Sequence, residues 1–334
     1  MLRPTQISIG STRICALMSN GHVWCWGSEP LGDGGASSSS LTPVEVSGIS
    51  TAIQVDVGSY TSCILLADHT IRCWGSDDHG QITGLGFATS GGTETPTATV
   101  GVSGANSVVT AIYTTCVLLS NGTVRCWGSS DGGNDGVPTA VQTVPSLTGV
   151  TSITDDLCAL LSDKSVKCWS GANGAPVALP ALPANVITQV AGSCVLSSDG
   201  SVRCWGAGAQ GQLGNGLTTD QTTPQLVQQL GIAKWIGHGD HHACAILSDQ
   251  SFSCWGKDGF FDSVDYGPYP LPIAGLGKVS SAAVGFANTC VIETDNTVKC
   301  WGSNLVGQLG PNGASFVGGG SATPVVITGL PSGN

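Results

Sequence analysis

The sequence predicts an all-β protein, specifically a seven-bladed β-propeller with four-stranded blades. Three observations support this fold class. Seven pairs of cysteines each have nine residues between the partners, and a tryptophan follows the second cysteine of every pair. Alternating apolar residues and a central turn residue lie between the partners. The units recur at intervals of 36 to 53 residues, a period that is typical of blade arrays.

Each cysteine pair encloses the pattern of a β-hairpin. Asn20 lies midway between Cys15 and Cys25, and every other unit has Asn or Asp at its midpoint. These residue types favour tight turns because their side chains bond the local backbone. Leu17 and Val23 lie two residues inside the cysteines and share their face of the hairpin. The turn therefore places the two cysteines opposite each other on antiparallel strands.

This arrangement predicts one cross-strand disulfide in each blade. A structural zinc site would use two closely spaced pairs of ligands, and no such spacing occurs in the chain. Reduced cysteines packed in the core are the alternative. Seven disulfides would place the protein in an oxidising compartment. The predicted bridges are Cys15–Cys25, Cys63–Cys73, Cys116–Cys126, Cys158–Cys168, Cys194–Cys204, Cys244–Cys254 and Cys290–Cys300.

The remaining strands of each blade are predicted upstream of its hairpin. Before Cys63, for example, the β-rich stretch TPVEVSGI is followed by AIQVDVG. The first hairpin is preceded only by RPTQISIG, and the chain ends with the unpaired stretch TPVVITGL. We therefore expect the N- and C-terminal strands to share one blade and close the ring, which removes exposed sheet edges. Residues 1–334 would then form a single domain.

The repeat unit resembles the regulator of chromosome condensation repeat. The motif of that family is a Cys-apolar-Leu-x-x-Asp-Gly-x-Val-x-Cys-Trp-Gly hairpin followed by Gly-Gln-Leu-Gly. The local matches include CVLSSDGSVRCWGAGAQGQLGNG (194–216) and WGSNLVGQLG (301–310). The resemblance covers essentially the whole chain and implies a propeller fold. Ser170 replaces the motif glycine in the fourth unit, and Gly-Gln-Leu-Gly is degraded in the first, second, third, fourth and sixth units.

The charge and hydropathy of the chain exclude several functions that relatives perform. Lys and Arg number 11 against 22 Asp and Glu, which gives a net charge of −11. Binding to a nucleic-acid backbone requires a basic face, so we expect no nucleic-acid partner. No stretch approaches the ~20 apolar residues of a membrane span. The N-terminus lacks the apolar core of a signal peptide, so we expect that a signal was removed or that the chain is a fragment. We place the protein outside the cell, on its surface or in the periplasm.

The sixth unit departs from the repeat in a way that predicts a recognition patch. Aromatic and ionisable side chains are concentrated there, and aromatic residues anchor interfaces and stack on sugars. Counted without gaps from the first cysteine, Trp235 aligns with small or polar residues in the other units: Gln6, Gln54, Ser107, Gly149, Asn185 and Ser281. The candidate patch consists of Trp235, His238, His241, His242, Lys257, Asp258, Phe260, Phe261, Tyr266 and Tyr269.

Two alternatives explain the same residues. The aromatic side chains would simply fill the end of the sixth blade, where the family resemblance implies a structural role for His242. Alternatively, His238, His241 and His242 would bind a metal ion, since imidazole is a common ligand. The acidic stretches 76–78 and 131–135 match no known calcium loop. We predict no resident metal and no cofactor.

We found no catalytic motif in the sequence, so we predict no catalytic residue. We expect a non-enzymatic extracellular or cell-surface binding module whose loops on one propeller face contact a protein or a glycan. One alternative is a secreted enzyme inhibitor, because the resemblance extends to a secreted inhibitor of β-lactamase. Another is a polysaccharide lyase that uses His241, His242 and Tyr266 as acid and base. The sequence does not predict an oligomeric state.

Overall fold

The fold consists of consecutive four-stranded antiparallel sheets, one for each repeat unit. The computed structural model describes residues 2–28, 30–35, 39–86, 92–131, 136–179, 186–257, 265–316 and 318–332, without the side chains of 314–316. The chain divides into two compact units, namely residues 1–179 with 331–334 and residues 180–330. The single domain expected from the sequence stays a prediction.

The first unit contains four sheets. The first sheet consists of β1 (Pro4–Ile9), β2 (Arg13–Met18), β3 (Val23–Ser28) and β4 (Ser39–Glu45). The second consists of β5 (Ala52–Val57), β6 (Thr61–Leu66), β7 (Ile71–Gly75) and β8 (Thr93–Ala98). The third consists of β9 (Ala105–Thr110), β10 (Thr114–Leu119), β11 (Val124–Ser129) and β12 (Pro138–Thr143). The fourth consists of β13 (Val150–Ile153), β14 (Cys158–Leu161), β15 (Val166–Cys168) and β16 (Val177–Ala178).

The second unit contains three sheets. The fifth sheet consists of β17 (Ile187–Ala191), β18 (Cys194–Ser197), β19 (Val202–Gly206) and β20 (Gln221–Leu226). The sixth consists of β21 (Ala233–His238), β22 (His242–Leu247), β23 (Phe252–Lys257) and β24 (Asp265–Pro272). The seventh consists of β25 (Val279–Val284), β26 (Asn288–Glu293), β27 (Val298–Ser303) and β28 (Gly320–Val326). A 3₁₀ helix at Pro311–Phe316 precedes β28. No helix within the described ranges is long and apolar enough to cross a membrane.

The expectation that the two terminal strands share one blade is wrong. Each sheet is built from four strands that are consecutive in sequence, so β1 pairs with β2 and β28 pairs with β27. The stretch TPVEV, which we assigned to the following unit, is the last strand of its own sheet, where Val44 pairs with Cys25. A strand pairs with the neighbour that a short connection brings beside it. The blade boundaries predicted from the sequence were therefore shifted by one strand relative to the observed sheets.

The hairpins and their disulfides are confirmed. All seven predicted pairs are bonded, and the two Cα atoms of each pair lie 4.0 to 4.1 Å apart. The midpoint residue accepts a backbone hydrogen bond, as at Asp68, whose Oδ1 lies 3.0 Å from the amide nitrogen of Thr70. His69, the next residue, has a φ of 64°. This left-handed conformation closes the turn.

Within each unit, neighbouring sheets pack face to face because their strands are apolar on both sides. Cys15 and Leu17 of the first sheet lie in one buried cluster with Val55, Ile64 and Trp74 of the second. The connections from the first to the second strand and from the third to the fourth lie at one end of each sheet, which we call the loop end. The hairpin turns and the connections to the next sheet lie at the opposite end, the turn end.

Candidate functional site

Tyr266 of the candidate patch is part of the buried core. In two sheets the repeat tryptophan bonds the loop of the sheet before it: Trp127 bonds the carbonyl oxygen of Gln81 at 2.8 Å, and Trp255 bonds that of Gln212 at 3.0 Å. Gln212 belongs to the Gly-Gln-Leu-Gly segment of the fifth unit, and the sixth unit lacks such a segment. The Tyr266 hydroxyl lies there instead, and it accepts the indole N–H of Trp301 at 2.7 Å. Tyr266 therefore replaces a missing repeat residue.

His242 is likewise buried. Its Nε2 lies 2.9 Å from the hydroxyl oxygen of Thr289 in the seventh sheet. Its ring packs near Tyr266, with the ring centroids 6.2 Å apart. Burial lowers the pKa of His242 to about 3, and repulsion from His238 and His241 adds to this effect. The imidazole is therefore neutral near pH 7 and acts as a hydrogen-bonding core residue.

Trp235 occupies a position that contacts the next sheet. In the equivalent position of the fifth sheet, Gln189 bonds both backbone groups of Ile236, at 2.7 Å through Nε2 and 3.1 Å through Oε1. Trp235 instead packs, partly buried, against the apolar cluster that includes Val279 and Val291 of the seventh sheet, as Ala282 and Val284 also do. An apolar contact between adjacent inner strands thus takes the place of two hydrogen bonds.

The strand register also corrects the ungapped alignment of this position. Trp235 pairs with Ile246 of its own sheet, and the residues in the corresponding pairs are Ser152 in the fourth sheet and Gln189 in the fifth. The sequence count had given Gly149 and Asn185. The connections that precede Cys158 and Cys194 are shorter than in the other units, so counting back from the cysteine overshoots the strand position.

The other described members of the patch lie toward the surface. His238 ends β21, and its Nε2 lies 3.2 Å from the Ser193 hydroxyl oxygen. Burial lowers the pKa of His238 to about 4, against an opposing effect of Asp240. His241 Nε2 lies 3.1 Å from the Asp240 carboxylate. Lys257 ends β23 and donates its backbone N–H to the carbonyl oxygen of His241.

Tyr269 lies on the outer strand β24 and is 40% exposed. Asp258, Phe260 and Phe261 lie outside the described residues. The structure therefore gathers His238, His241 and Lys257 at the loop end, directs His242 and Tyr266 into the core, and leaves Tyr269 on the outer strand. Within the described residues, no three His, Cys, Asp or Glu side chains are grouped so that they could hold a metal ion. The recognition patch of the sixth unit stays a prediction.

A second aromatic surface lies at the loop end of the first unit, where our sequence analysis named no site. The rings of Tyr60 and Tyr113 stack with centroids 5.2 Å apart and an interplanar angle of 9°. Hydrogen bonding with Tyr60 raises the pKa of the Tyr113 hydroxyl. Tyr60 is 45% exposed, and Ile112, beside Tyr113, is 53% exposed. We call Tyr60, Ile112 and Tyr113 the tyrosine platform.

The sequence contained a signal for this platform. Tyr60 and Tyr113 each lie three residues before the first cysteine of their unit. Because the two hairpins have the same strand register, the same offset puts both tyrosines in the same connection of adjacent sheets. His79, from the loop that follows β7, packs against Tyr113 with ring centroids 4.5 Å apart. Neither tyrosine stands out within its own unit, so only the shared offset from the cysteine indicates the pair.

Two carboxyl groups with raised pKa values lie near the platform. One Asp56 oxygen accepts the backbone N–H and the hydroxyl of Thr110, both at 2.6 Å. Burial raises the pKa of Asp56 to about 7, with a further contribution from the charge of Asp155. Asp155 has solvent-accessible area, but desolvation by surrounding protein atoms and repulsion from Asp156 raise its pKa to about 7. Both groups are therefore only partly ionised near pH 7 and become fully charged at higher pH.

The repeated four-stranded sheets, each with its own disulfide, define the chain as a seven-bladed β-propeller. Its sequence matches models of the regulator of chromosome condensation (RCC1) repeat over residues 5–32, 52–81, 199–246 and 279–308. The chain therefore contains RCC1 repeats within a propeller fold.

Solved structures share this fold. The CRINKLY WD40 ectodomain of the Arabidopsis thaliana receptor kinase ACR4 is 21% identical, with a TM-score of 0.59, covering 98% of this chain and 99% of the ectodomain. Human WBSCR16 is 18% identical, with a TM-score of 0.55, covering 98% of this chain and 82% of WBSCR16. Prp20p from Saccharomyces cerevisiae, described with its binding to Gsp1p and histones, is 16% identical, with a TM-score of 0.51, covering 97% of this chain and 77% of Prp20p. RCC1-like propellers thus include protein-binding modules.

Proposed function

We propose that this chain is a non-enzymatic module that binds a partner protein outside the cell through the loop end of its first unit. The tyrosine platform is the observation that carries this proposal. Two stacked tyrosines and an isoleucine are presented at a loop end, and tyrosine is among the residues that dominate binding energy in interfaces. The rings are already stacked against each other, so little side-chain entropy is lost when a partner binds.

The disulfides support the extracellular part of the proposal. Fourteen bonded cysteines are stable in an oxidising compartment and are rare in a reducing one. The likeness to a receptor ectodomain supports the same location, since that domain combines this fold with an extracellular setting. The hairpin bridges also make the blades rigid supports for the loops, which favours recognition by preformed surfaces.

The test is capture followed by reconstitution. The immobilised protein is exposed to secreted and surface proteins of its source organism, and each captured protein is purified and its Kd is measured. The paired substitution Tyr60→Ser and Ile112→Ser should weaken binding by roughly tenfold or more. The control pair Ile53→Ser and Val100→Ser removes apolar side chains of similar exposure at the turn end of the same unit. The control should change the Kd less than about twofold.

Equal losses from the two pairs, or no partner that binds after purification, would overturn the proposal. An enzyme among the captured proteins whose turnover falls on binding would make the module an inhibitor, which is the alternative predicted from the sequence. The lyase alternative gains no support from the geometry, because His242 and Tyr266 are buried and engaged with Thr289 and Trp301.

A further inference from the structure

Charge is segregated between the two ends of the first unit. Among its described residues, the only Lys or Arg at the loop end is Arg13, which is buried and bonds the Ser62 hydroxyl at 2.8 Å. The acidic residues at that end are Asp33, Asp56, Asp77, Asp78, Glu94, Asp131, Asp155 and Asp156. The turn end has the acidic residues Glu45, Asp68 and Asp163 and the basic residues Arg3, Arg72, Arg125, Lys164 and Lys167.

The acidic residues of the loop end differ in burial. Asp77 is buried, and its Oδ1 accepts the backbone N–H of Ile82 at 2.7 Å, so it holds the loop after β7. Asp78, Asp155 and Asp156 are exposed. Their carboxyl groups reach solvent; Asp78 also accepts the Ser76 hydroxyl at 2.8 Å, and Asp155 is charged above its pKa of about 7.

The acidic residues lie at the same loop end as the tyrosine platform. Asp78 adjoins His79, whose ring packs on Tyr113. Asp155 and Asp156 are in the connection between β13 and β14, which is equivalent to the connections that hold Tyr60 and Tyr113. Asp155 also acts electrostatically on Asp56, and Asp56 is bonded to Thr110, two residues before Ile112. Apolar rings and carboxylates thus lie at the same end of the unit.

We propose that the loop end of the first unit binds a basic segment of the partner protein, with Lys or Arg side chains beside an apolar or aromatic residue. This inference rests on the proposed protein-binding function and adds the chemistry of the partner. Charge complementarity selects this occupant, since an acidic surface repels acidic segments and attracts cationic ones over a distance.

Both features of the surface suit such a segment. A guanidinium or ammonium group is attracted to the face of a tyrosine ring, more strongly where water is excluded. Arg also forms paired hydrogen bonds with carboxylates, so Asp155 or Asp156 would engage the cation from the side. Ile112 provides a neighbouring apolar contact for an aliphatic or aromatic side chain. The combination discriminates against purely acidic and purely apolar segments.

The test uses a random dodecapeptide library displayed on phage and selected on the full chain at about pH 8. That pH lies above the pKa of about 7 for Asp155, so its carboxylate is charged. Enriched peptides should be rich in Arg and Lys together with aromatic or aliphatic residues. Their Kd, measured by fluorescence anisotropy, should rise steeply with salt because the attraction is screened.

Two matched variants then locate the site. Asp155→Asn with Asp156→Asn should weaken the best basic peptide by roughly tenfold. Asp68→Asn with Asp163→Asn removes the same charge at the turn end and should change its Kd less than about twofold. Unchanged melting temperatures establish that both variants are folded. The salt dependence of the Kd is measured on the unmodified chain, so it tests the electrostatic attraction without either variant.

Several results would overturn the inference. They are the enrichment of acidic or uncharged peptides, equal effects of the two variants, or a Kd that does not change with salt. Binding of uncharged oligosaccharides to the platform in place of basic peptides would identify a glycan site. The two proposals can fail separately. A partner that binds through the platform with a Kd unaffected by substitution of Asp155 and Asp156 would refute only the basic segment. The proposed protein-binding function would then still hold.

Discussion

The hydroxyl of Tyr266 accepts the indole N–H of Trp301 at 2.7 Å, and both side chains are buried. Trp301 is a repeat residue, whereas Tyr266 belongs to the region where the sixth unit departs from the repeat. The departure is therefore compensated locally. A tyrosine side chain supplies the acceptor that a backbone carbonyl supplies to Trp127, from Gln81 at 2.8 Å, and to Trp255, from Gln212 at 3.0 Å.

Replacing Tyr266 by Phe should lower the free energy of unfolding by about 1–3 kcal/mol, because the indole N–H of Trp301 would stay buried without its acceptor. The measurement is chemical denaturation followed by tryptophan fluorescence. Tyr269→Phe is the matched control, since Tyr269 is 40% exposed, and it should fall within about 0.5 kcal/mol of the unmodified chain. Equal effects of the two substitutions would contradict a structural role for Tyr266.

Trp235 should contribute to stability through packing. Trp235→Ala should cost roughly 2 kcal/mol, less than a fully buried tryptophan would, because the side chain is only partly buried. Trp235→Gln should cost less, since glutamine can bond the inner strand of the seventh sheet as Gln189 bonds that of the sixth. Denaturation curves of both variants provide the comparison. A glutamine variant no more stable than the alanine variant would argue against the equivalence of these positions.

Asp56 should make the protein less stable as the pH rises. Its pKa in the folded state is raised from 3.8 to about 7, so the folded chain retains a proton that the unfolded chain releases over that interval. Stability is therefore lost as the pH rises through about 7. Asp56→Asn, whose amide oxygen can still accept the bonds from Thr110, should be stabilising at about pH 8 and nearly neutral at about pH 4. A gain that does not depend on pH would contradict the raised pKa.

His242 should make the protein less stable as the pH falls. Its pKa is lowered from 6.5 to about 3 in the folded state, so the unfolded chain binds a proton that the folded chain rejects. Stability is complete above pH 6.5 and falls toward pH 3, by about 1.4 kcal/mol per pH unit for one proton. An NMR titration of the imidazole Cε1–H signal should show no protonation of His242 between about pH 7 and pH 5. A midpoint near 6.5 would place His242 in solvent.

Reduction should strongly destabilise the chain. Each disulfide closes a hairpin with a sequence separation of 10 residues, which corresponds to about 3 kcal/mol of denatured-state entropy on the loop-closure model. The melting temperature should therefore fall steeply after verified reduction. Thiol titration of protein unfolded without reductant should detect no free cysteine. Fourteen reactive thiols in the isolated protein would refute both the bridges and the oxidising compartment inferred from them.

The sequence alone determined the hairpins, the disulfide pairing, the number of blades and the RCC1-repeat resemblance. These features are local or periodic: Asp68 bonds Thr70 two residues away, and every cysteine finds its partner across one short turn. Local hydrogen bonds and regular spacing are recorded directly in the order of residues. The assignment of the outer strands failed because TPVEV lies midway between two hairpins and its partner depends on how the chain returns to the sheet.

Only the tertiary structure decided which side chains meet and which reach the surface. Tyr266 and Tyr269 are three residues apart, yet one is buried against Trp301 and the other is exposed. Tyr60 and Tyr113 are far apart in sequence and stack because adjacent sheets place equivalent connections side by side. Burial and contact between repeats arise from the packing of whole sheets. The order of residues within one unit cannot specify them.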